Sequence, residues 1–155
     1  MKVSGSQTVP CPPEQAYAMM QDPAILAKAI PGCRTLERTG EGEYKLTLKV
    51  ILASLGGDFE GSVRLTDHVP PTSFRMVVEG TGKLGFMKGE GVLKLAPVGE
   101  GTEVTYDGDA RIGGKMAAVG NRLIDATAKL LIKRFFQKIS KFANGDFSDD
   151  DPGEE

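Results

Sequence analysis

The side chains of this sequence that could act as acids, bases or nucleophiles are few and poorly placed for catalysis. The chain has one histidine, His68, which shares the outward parity of its predicted strand with Arg64 and Thr66 beside a Pro-Pro turn. Because a general acid or base must reach its substrate, we expect a surface role for His68. The order of the Ser, Cys, His and Asp residues leaves a catalytic triad open, but no nucleophile lies in a recognisable elbow motif.

Three other groups of residues have both a chemical and a structural interpretation. The two cysteines, Cys11 and Cys33, lie in no metal-ligand spacing and are expected to be free thiols. The run Gly113-Gly114-Lys115 precedes a predicted helix but lacks the Walker spacing of a phosphate-binding loop. Four carboxylates alternate with inward apolar residues and should face water: Asp58, Glu60, Asp107 and Asp109. The sequence therefore predicts no catalytic residue and no metal site.

A helix near the C-terminus is the element on which the rest of the chain is expected to pack. Residues 115–144 contain no proline, follow a Gly-Gly pair and precede Gly145, which stands where a left-handed C-cap would fall. At about 100° per residue, one face of this helix is apolar. That face consists of Met116, Val119, Leu123, Thr127, Leu130 and Leu131. We therefore predict one continuous amphipathic helix that needs an apolar surface beneath it.

The segment before this helix alternates apolar and polar residues with a period of two, which predicts strands. A first strand is predicted at residues 2–9, followed by two short helices, one opening at Pro13 and one capped by Asp22. Further strands are predicted at residues 34–39, 43–52, 58–69, 73–82, 90–97 and 102–112. The pattern predicts an α+β fold in which a curved antiparallel sheet of about six to seven strands wraps around the long C-terminal helix.

Glycine is unusually frequent in this sequence. The chain has 20 glycines, almost twice the average share of about 7%. Each glycine inside a strand or helix costs about 0.5–1 kcal/mol relative to alanine. Several have inward parity: Gly61, Gly80, Gly91 and Gly108 in strands, and Gly120 in the helix. They indicate strong sheet curvature, an empty cavity, or both, since the two explanations are compatible.

The cavity interpretation predicts a site for an apolar ligand between the sheet and the helix. The predicted ligand-binding residues are Tyr44, Leu48, Phe59, Gly61, Met76, Gly80, Tyr106, Gly108, Gly120, Leu123 and Thr127. Phe86 and Met87, in a predicted loop over residues 83–88, are expected to gate the mouth of the cavity. We expect alanine at Gly61 or Gly108 to reduce ligand uptake.

Charge is distributed unevenly along the C-terminal part of the chain. Residues 115–144 contain seven Lys or Arg and one acid, whereas residues 145–155 contain six acids and no base. The end of the helix is predicted to contact a membrane or an acidic partner through Arg134, Phe136, Lys138 and Lys141. The alternative is a solvated helix end with snorkelling lysines. We expect residues 145–155 to form a disordered acidic tail that folds back and weakens this contact.

Length and composition predict one globular domain over residues 1–144 of the 155-residue chain. A net charge of −2 argues against a protein built mainly to bind nucleic acid. The N-terminus has no apolar signal-peptide region, and no apolar run approaches the ~18–20 residues of a membrane span. We therefore expect a cytoplasmic protein with at most peripheral contact with the cytoplasmic membrane.

Three segments of the sequence resemble the CoxG family, named after the G subunit of carbon monoxide dehydrogenase. They are Ile30-Pro31-Gly32-Cys33, GFMKGEGVLKL at residues 85–95, and GTEVTYDGDARIGGKMAAVGNRLIDATAKLLIKRFF at residues 101–136. The resemblance extends over about residues 1–142, and GGKMAAVGNRLI is its most specific part. It implies a START-like, helix-grip (SRPBCC) fold, which agrees with the architecture expected from the order of strands and helices.

The resemblance also implies a function. Family members are small accessory proteins encoded with molybdenum-containing hydroxylases of the carbon monoxide dehydrogenase type. They are thought to recruit the enzyme to the cytoplasmic membrane or to carry a quinone that accepts its electrons. The family has no catalytic residue to carry over to this sequence. Longer members add a membrane-anchoring C-terminal extension, so for a chain that ends in an acidic tail we expect ligand carriage or reversible membrane contact.

We therefore expect a non-enzymatic protein without an intrinsic cofactor, which binds a quinone or a lipid and serves a carbon monoxide dehydrogenase-type enzyme complex. Two alternatives stay open. Helix-grip relatives include cyclases and dehydratases that act on polyketides, and an enzyme of this type would have only Tyr44, Tyr106 and Thr127 as inward polar groups. A docking subunit without a ligand would fill its cavity with its own side chains.

Overall fold

Strands, two short helices, a 3-10 helix and one long helix make up the structure, a computed structural model that describes residues 1–52 and 55–147. In chain order the elements are β1 (Lys2–Val9), α1 (Pro13–Met20), α2 (Pro23–Ala29), β2 (Cys33–Gly40), β3 (Glu43–Leu52), β4 (Leu55–Val69), β5 (Ser73–Gly82), β6 (Gly85–Val98), β7 (Gly101–Gly113), the 3-10 helix (Gly114–Val119) and α3 (Asn121–Ala143). The predicted acidic tail lies largely outside the described residues, because only its first three residues belong to them.

The described strands form one antiparallel sheet of seven strands in the order β1-β7-β6-β5-β4-β3-β2. From β2 to β7 the chain is a meander, and β1 pairs with β7, so that the first and second strands occupy opposite edges. α1 and α2 connect these two edges, and α3 contacts α1, α2, β1 and β3. The predicted α+β fold, a curved antiparallel sheet around a long C-terminal helix, is confirmed.

The ends of the helices follow the predicted local chemistry. α1 and α2 each carry proline in the first turn, and the Asp22 carboxylate accepts a hydrogen bond from the backbone N–H of Ala24 at 2.9 Å. After α3, Gly145 has φ +82°. Its N–H donates to Phe142 O at 3.0 Å, while the N–H of Asp146 donates to Lys141 O at 2.9 Å. This Schellman arrangement satisfies the last carbonyls of α3, as the position of Gly145 predicted.

Two predicted boundaries were wrong. Residues 83–88 do not form a loop, because Gly82 pairs with Gly85 and the ladder between β5 and β6 continues beyond them. The helix predicted over residues 115–144 is interrupted. Residues Gly114–Val119 are a 3-10 helix, and Gly120, at φ +95° and ψ 152°, separates this helix from α3. That backbone conformation is essentially restricted to glycine, and it cannot continue a helix.

The inward-parity glycines serve the curvature of the sheet at most of their positions. Gly61 pairs with Gly80, and Gly91 pairs with Gly108. A Cβ on Gly61 would overlap the carbonyl oxygen of Glu79, and one on Gly108 would overlap that of Glu90. The glycines therefore allow neighbouring strands to approach closely where the sheet bends. Gly80 differs from Gly61, since a Cβ there would meet the flexible Met87 side chain at 3.4 Å.

The hydrophobic core has two parts. The larger part, which we call the main core, packs α1, α2 and the C-terminal half of α3 on the sheet, and its buried residues include Val9, Tyr17, Phe74, Ile139 and Phe142. The smaller part, which we call the small core, lies at the other end of α3 and contains Leu52, Phe59, Met116 and Ile124. Leu48 packs against both parts, so the two cores meet along β3.

Candidate functional site: a cavity between the sheet and α3

A cavity of about 360 Å³ lies between the concave face of the sheet and α3. Its walls include residues of the main core, such as Leu46 and Leu93, and residues of the small core, such as Phe59 and Ile124. The sheet lines it with Leu46, Leu48, Val50, Leu52, Phe59, Val63, Met76, Val78, Glu79, Gly80, Met87, Leu93, Tyr106 and Ile112. The cavity is therefore bounded by both cores, and its volume falls within the range of small-molecule sites, about 300–1,000 Å³.

Helical residues close the other side of the cavity. Met116 lines it from the 3-10 helix, and Leu26, Ile30 and Pro31 line it from the end of α2. α3 contributes Ile124, Thr127, Ala128, Leu131, Ile132, Phe135 and Phe136. These positions recur at intervals of three and four, so they form a single stripe along α3. Ile30 and Pro31 belong to the Ile-Pro-Gly-Cys segment that carries part of the family resemblance.

The lining offers few polar groups. Thr127, Tyr106 and Glu79 are the lining residues with polar side chains, and nearly all of the lining surface is apolar. Glu79 also pairs with Lys88 at 3.4 Å on a half-exposed part of β5 and β6. The hydroxyl end of Tyr106 lies over Gly5 of β1, where a Cβ would come within 2.6 Å of its oxygen. The cavity thus suits an apolar ligand that makes at most a few hydrogen bonds.

Seven of the residues predicted to bind a ligand line this cavity: Leu48, Phe59, Met76, Gly80, Met87, Tyr106 and Thr127. All but Thr127 lie on strands, where parity alone fixes the face of the sheet to which a side chain points. The structure brings them together on the concave face around one space. Their role in binding stays a prediction.

The other predicted ligand-binding residues lie outside the lining. Tyr44 is buried in the main core, with its hydroxyl 3.5 Å from the carbonyl of Gln21. Gly61 and Gly108 face the backbone of neighbouring strands. Phe86, the predicted gate, is 47% exposed, and its ring lies against Gly113 on the neighbouring strand.

Leu123 and Gly120 were placed on the wrong face. Leu123 is 37% exposed and Leu130 is 44% exposed, although both were predicted to face inward. The reason is that the predicted face was extended from Met116 and Val119, which belong to the 3-10 helix. Because a 3-10 helix turns about 120° per residue and Gly120 breaks the chain direction, its phase does not carry over into α3. Counting backward from Phe142 in steps of three and four finds Ile139, Phe135, Leu131, Ala128 and Ile124, most of which the prediction missed.

The predicted membrane contact at the end of α3 is wrong for two of its four residues. Phe136 is 4% exposed and lines the cavity, and Lys138 is 8% exposed with its ammonium 6.0 Å from the centre of the Phe142 ring. Arg134 and Lys141 are half-buried, and Lys141 lies 3.9 Å from Asp146. Phe147 stacks on Phe142. This part of the helix is therefore covered rather than presented as an open surface.

The residues with catalytic or metal-binding chemistry lie away from the cavity. His68 hydrogen-bonds through Nε2 to the Gln21 side chain at 2.9 Å and stacks on Phe74. Burial raises the pKa of the Cys11 and Cys33 thiols, which lowers their thiolate fraction near neutral pH. In residues 1–52 and 55–147, no group of three or more His, Cys, Asp or Glu side chains could hold a metal ion. No helix among them is long and apolar enough to span a membrane.

Comparisons with known proteins agree on the fold. A family model described as the G subunit of carbon monoxide dehydrogenase (CoxG) matches residues 5–144. No protein of curated function matches the sequence. A solved structure of a conserved protein from Geobacillus kaustophilus is 38% identical, with a TM-score of 0.90, and the match covers 94% of this chain and 96% of that chain.

More distant structures share the fold alone. A START superfamily protein from Mycobacterium smegmatis is 12% identical with a TM-score of 0.70, over 93% of this chain and 97% of that one. The Zhui aromatase/cyclase from Streptomyces sp. R1128 is 15% identical with a TM-score of 0.63, over 93% of each chain. Identities this low carry the helix-grip architecture and no activity.

Proposed function

Because the chain belongs to the CoxG family of carbon monoxide dehydrogenase, we propose that it is a non-enzymatic accessory protein of a carbon monoxide dehydrogenase-type molybdenum hydroxylase. In this role it carries an apolar ligand, a quinone or a lipid, in the cavity between the sheet and α3. One observation carries the proposal: the cavity of about 360 Å³ interrupts the hydrophobic core and has an almost wholly apolar lining. An unfilled space of this size costs stability, so a binding role explains why the fold keeps it.

The size of the cavity favours one kind of ligand. A volume of about 360 Å³ equals roughly twelve water molecules at about 30 Å³ each. A fused aromatic ring with a short chain fits such a space, whereas a phospholipid with two acyl chains needs several times more. A quinone ring presents two flat apolar faces to such a lining, and the Thr127 hydroxyl is a donor for one of its carbonyl oxygens. We therefore favour a quinone over a phospholipid.

The proposal of a carrier excludes turnover of the ligand. Acid–base chemistry needs a group with a tuned pKa aimed at the substrate, and the lining offers Glu79, Tyr106 and Thr127. The Glu79 carboxylate is half-exposed and pairs with Lys88, so it is not aimed into the cavity. Tyr106→Phe distinguishes the carrier from a cyclase or dehydratase. A carrier keeps quinone binding within a few-fold, whereas an enzyme would bind its substrate and lose turnover.

The first test is mass spectrometry of an organic extract of the protein, purified without detergent from a quinone-producing host. We expect one isoprenoid quinone per chain, with its ring and the start of its isoprenoid chain in the cavity and the rest of that chain outside it. An empty extract, together with no binding of added short-chain quinones, would contradict ligand carriage and leave a ligand-free docking subunit.

A pair of matched variants ties that ligand to the cavity. Ala128 lines the cavity, and Ala126 is exposed two residues earlier on α3. Ala128→Leu should reduce quinone retention at least tenfold by filling the space, and Ala126→Leu should leave retention unchanged. Equal retention by the two variants would place the ligand elsewhere.

We also propose that the protein meets an anionic membrane through the N-terminal half of α3. Leu123 and Leu130 are exposed two turns apart on one side of the helix, next to the stripe that lines the cavity. Arg122 and Lys133 are exposed on the adjacent side. Apolar side chains flanked by basic ones are the composition that binds the surface of anionic bilayers.

Vesicle sedimentation tests this surface. We expect binding to phosphatidylglycerol vesicles and little binding to phosphatidylcholine vesicles, with a loss of about tenfold in the double variant Leu123→Ser, Leu130→Ser. Val98→Ser, which also removes an exposed apolar side chain but at the turn between β6 and β7, should bind normally. If the double variant binds vesicles normally but no longer co-elutes with the purified hydroxylase, the surface contacts the enzyme instead.

A further inference from the structure

Among the described walls of the cavity, the 3-10 helix, Gly114–Val119, is the one that begins with a glycine and is followed by a glycine. Gly114 has φ +76° and Gly120 has φ +95°. No atom lies within 4 Å of the position that a Cβ on Gly120 would take. The segment that contains this helix, Gly-Gly-Lys-Met-Ala-Ala-Val-Gly at residues 113–120, is also the most specific motif of the sequence, and the proposed function does not explain it.

The 3-10 helix is joined to the rest of the protein by few interactions. The N–H of Met116 donates to the carbonyl of Leu84, in the turn between β5 and β6, at 3.0 Å. Met116 is the buried residue of this helix, and its side chain lines the cavity within the small core. Lys115, Ala117 and Ala118 are exposed. One hydrogen bond and two apolar side chains, the buried Met116 and the half-buried Val119 that packs on the small core, therefore hold this wall in place.

The other walls are held more firmly. The sheet behind the cavity is hydrogen-bonded from strand to strand, and this ladder includes Phe86 and Met87, which were predicted to form a gate. The C-terminal half of α3 is part of the main core through Phe136, Ile139 and Phe142. A motion that opens the cavity along the sheet or along this half of α3 would break many contacts at once.

We propose that the 3-10 helix is the ligand portal: it swings out on Gly114 and Gly120, withdraws Met116 and Val119 from the small core, and so admits and releases the ligand. This inference rests on the proposed binding of an apolar ligand in the cavity. It assigns a role to the Gly-Gly and Val-Gly ends of the motif, because both hinges require backbone conformations that other residues rarely adopt.

A pair of glycine variants tests the portal. Gly120→Ala strains the closed portal, so the open state becomes more populated. Gly145→Ala is the matched control, since Gly145 also has a positive φ, +82°, and open space around it, but lies after α3 far from the portal. The probe is 1-anilinonaphthalene-8-sulfonate, whose association and dissociation are followed by stopped-flow fluorescence.

For Gly120→Ala we expect the association and dissociation rate constants of the probe to rise about fivefold, while Kd stays within twofold. The strain raises the free energy of the closed protein equally with and without bound probe, so both rates change and the affinity does not. Gly145→Ala should exchange the probe like the wild-type protein, although its midpoint of urea unfolding falls by a similar amount. Wild-type rates in Gly120→Ala would overturn the portal and leave ligand binding intact. No saturable probe binding by the wild-type protein would instead overturn the proposed function, and the portal with it.

A reversible lock tests the portal in the opposite direction. The N–H of Met116 donates to the carbonyl of Leu84 at 3.0 Å, and both side chains pack in the small core, so cysteines at these two positions are the pair to cross-link. In a Cys33→Ser background, the double variant Leu84→Cys, Met116→Cys should exchange the probe at least tenfold more slowly when oxidised, and dithiothreitol should restore the rate. Equal rates in the oxidised and reduced forms, with the disulfide verified by mass spectrometry, would contradict the portal.

Discussion

The two halves of α3 are both rich in apolar residues but have different roles in the structure. In the C-terminal half, Phe136, Ile139 and Phe142 are buried in the main core. In the N-terminal half Ile124 is the buried residue, and Leu123 and Leu130 are exposed. One helix thus stabilises the fold at one end and forms the wall of a cavity at the other.

The difference follows from what covers each half. α1, α2 and β1 surround the C-terminal half, and the chain after the helix returns to it through the stacking of Phe147 on Phe142. The N-terminal half faces the cavity and the short 3-10 helix. A protein of this size can leave part of its core unfilled only if the rest is densely packed, because net stability is about 5–15 kcal/mol. The variants below compare the two ends directly.

Truncation of a buried isoleucine should give the largest difference. Ile139 is 0% exposed in the main core, so Ile139→Ala should lower the free energy of unfolding by about 3–4 kcal/mol. Ile124→Ala, which only enlarges an existing cavity, should cost about 1.5 kcal/mol. Urea denaturation measures both. Equal losses would mean that the small core is packed as tightly as the main core.

Enlarging a buried alanine should again destabilise the main core, whereas the cavity should accept the larger side chain. Ala16 is fully buried under α3, and Ala16→Leu should destabilise the protein by about 2 kcal/mol through overpacking. Ala128→Leu places the same atoms in the cavity and should leave the free energy of unfolding unchanged or raise it by up to about 1 kcal/mol. A large loss for Ala128→Leu would show that the cavity cannot accept even three added carbon atoms.

The sequence predicted the architecture because local signals determine it. Pro13, Asp22 and Pro23 marked both short helices, and alternation with a period of two marked the strands, whose parity also identified the sheet side of the cavity. β6 was predicted too short, since glycines at residues 85, 89 and 91 weaken the strand signal that its pairing with β5 and β7 restores.

The helix side of the cavity could not be predicted in the same way. Gly120 reads as a tolerated glycine in an otherwise good helical sequence, and only the packing of Met116 against Leu84 shows that the chain turns there. The phase error that followed placed Leu123 inside and missed Ile124 and Ala128. Likewise, parity cannot tell a glycine that opens space, such as Gly80, from one that lets strands approach, such as Gly61.

The pair Gly61 and Gly80 separates curvature from space. The two glycines face each other on β4 and β5. Gly61→Ala should cost about 1.5 kcal/mol, because its Cβ would meet the backbone of β5. Gly80→Ala should cost less than about 0.5 kcal/mol, since the Met87 side chain can move aside, and should weaken quinone binding instead. Loss of ligand uptake in Gly61→Ala without loss of stability would restore the interpretation of Gly61 as part of the lining.

Thiol labelling should detect the difference between the two ends even where static burial is the same. Cys11 in the main core is 3% exposed, and Met116 in the small core is 4% exposed. In a Cys33→Ser background, we expect Met116→Cys to react with iodoacetamide about fivefold faster than Cys11, because reaction requires local opening and the 3-10 helix opens more readily. Burial raises the pKa of Cys11 and so slows its labelling near neutral pH, while a pH series corrects both rates for thiolate content. Equal corrected rates would mean that the two ends open together, and that the 3-10 helix has no motion of its own.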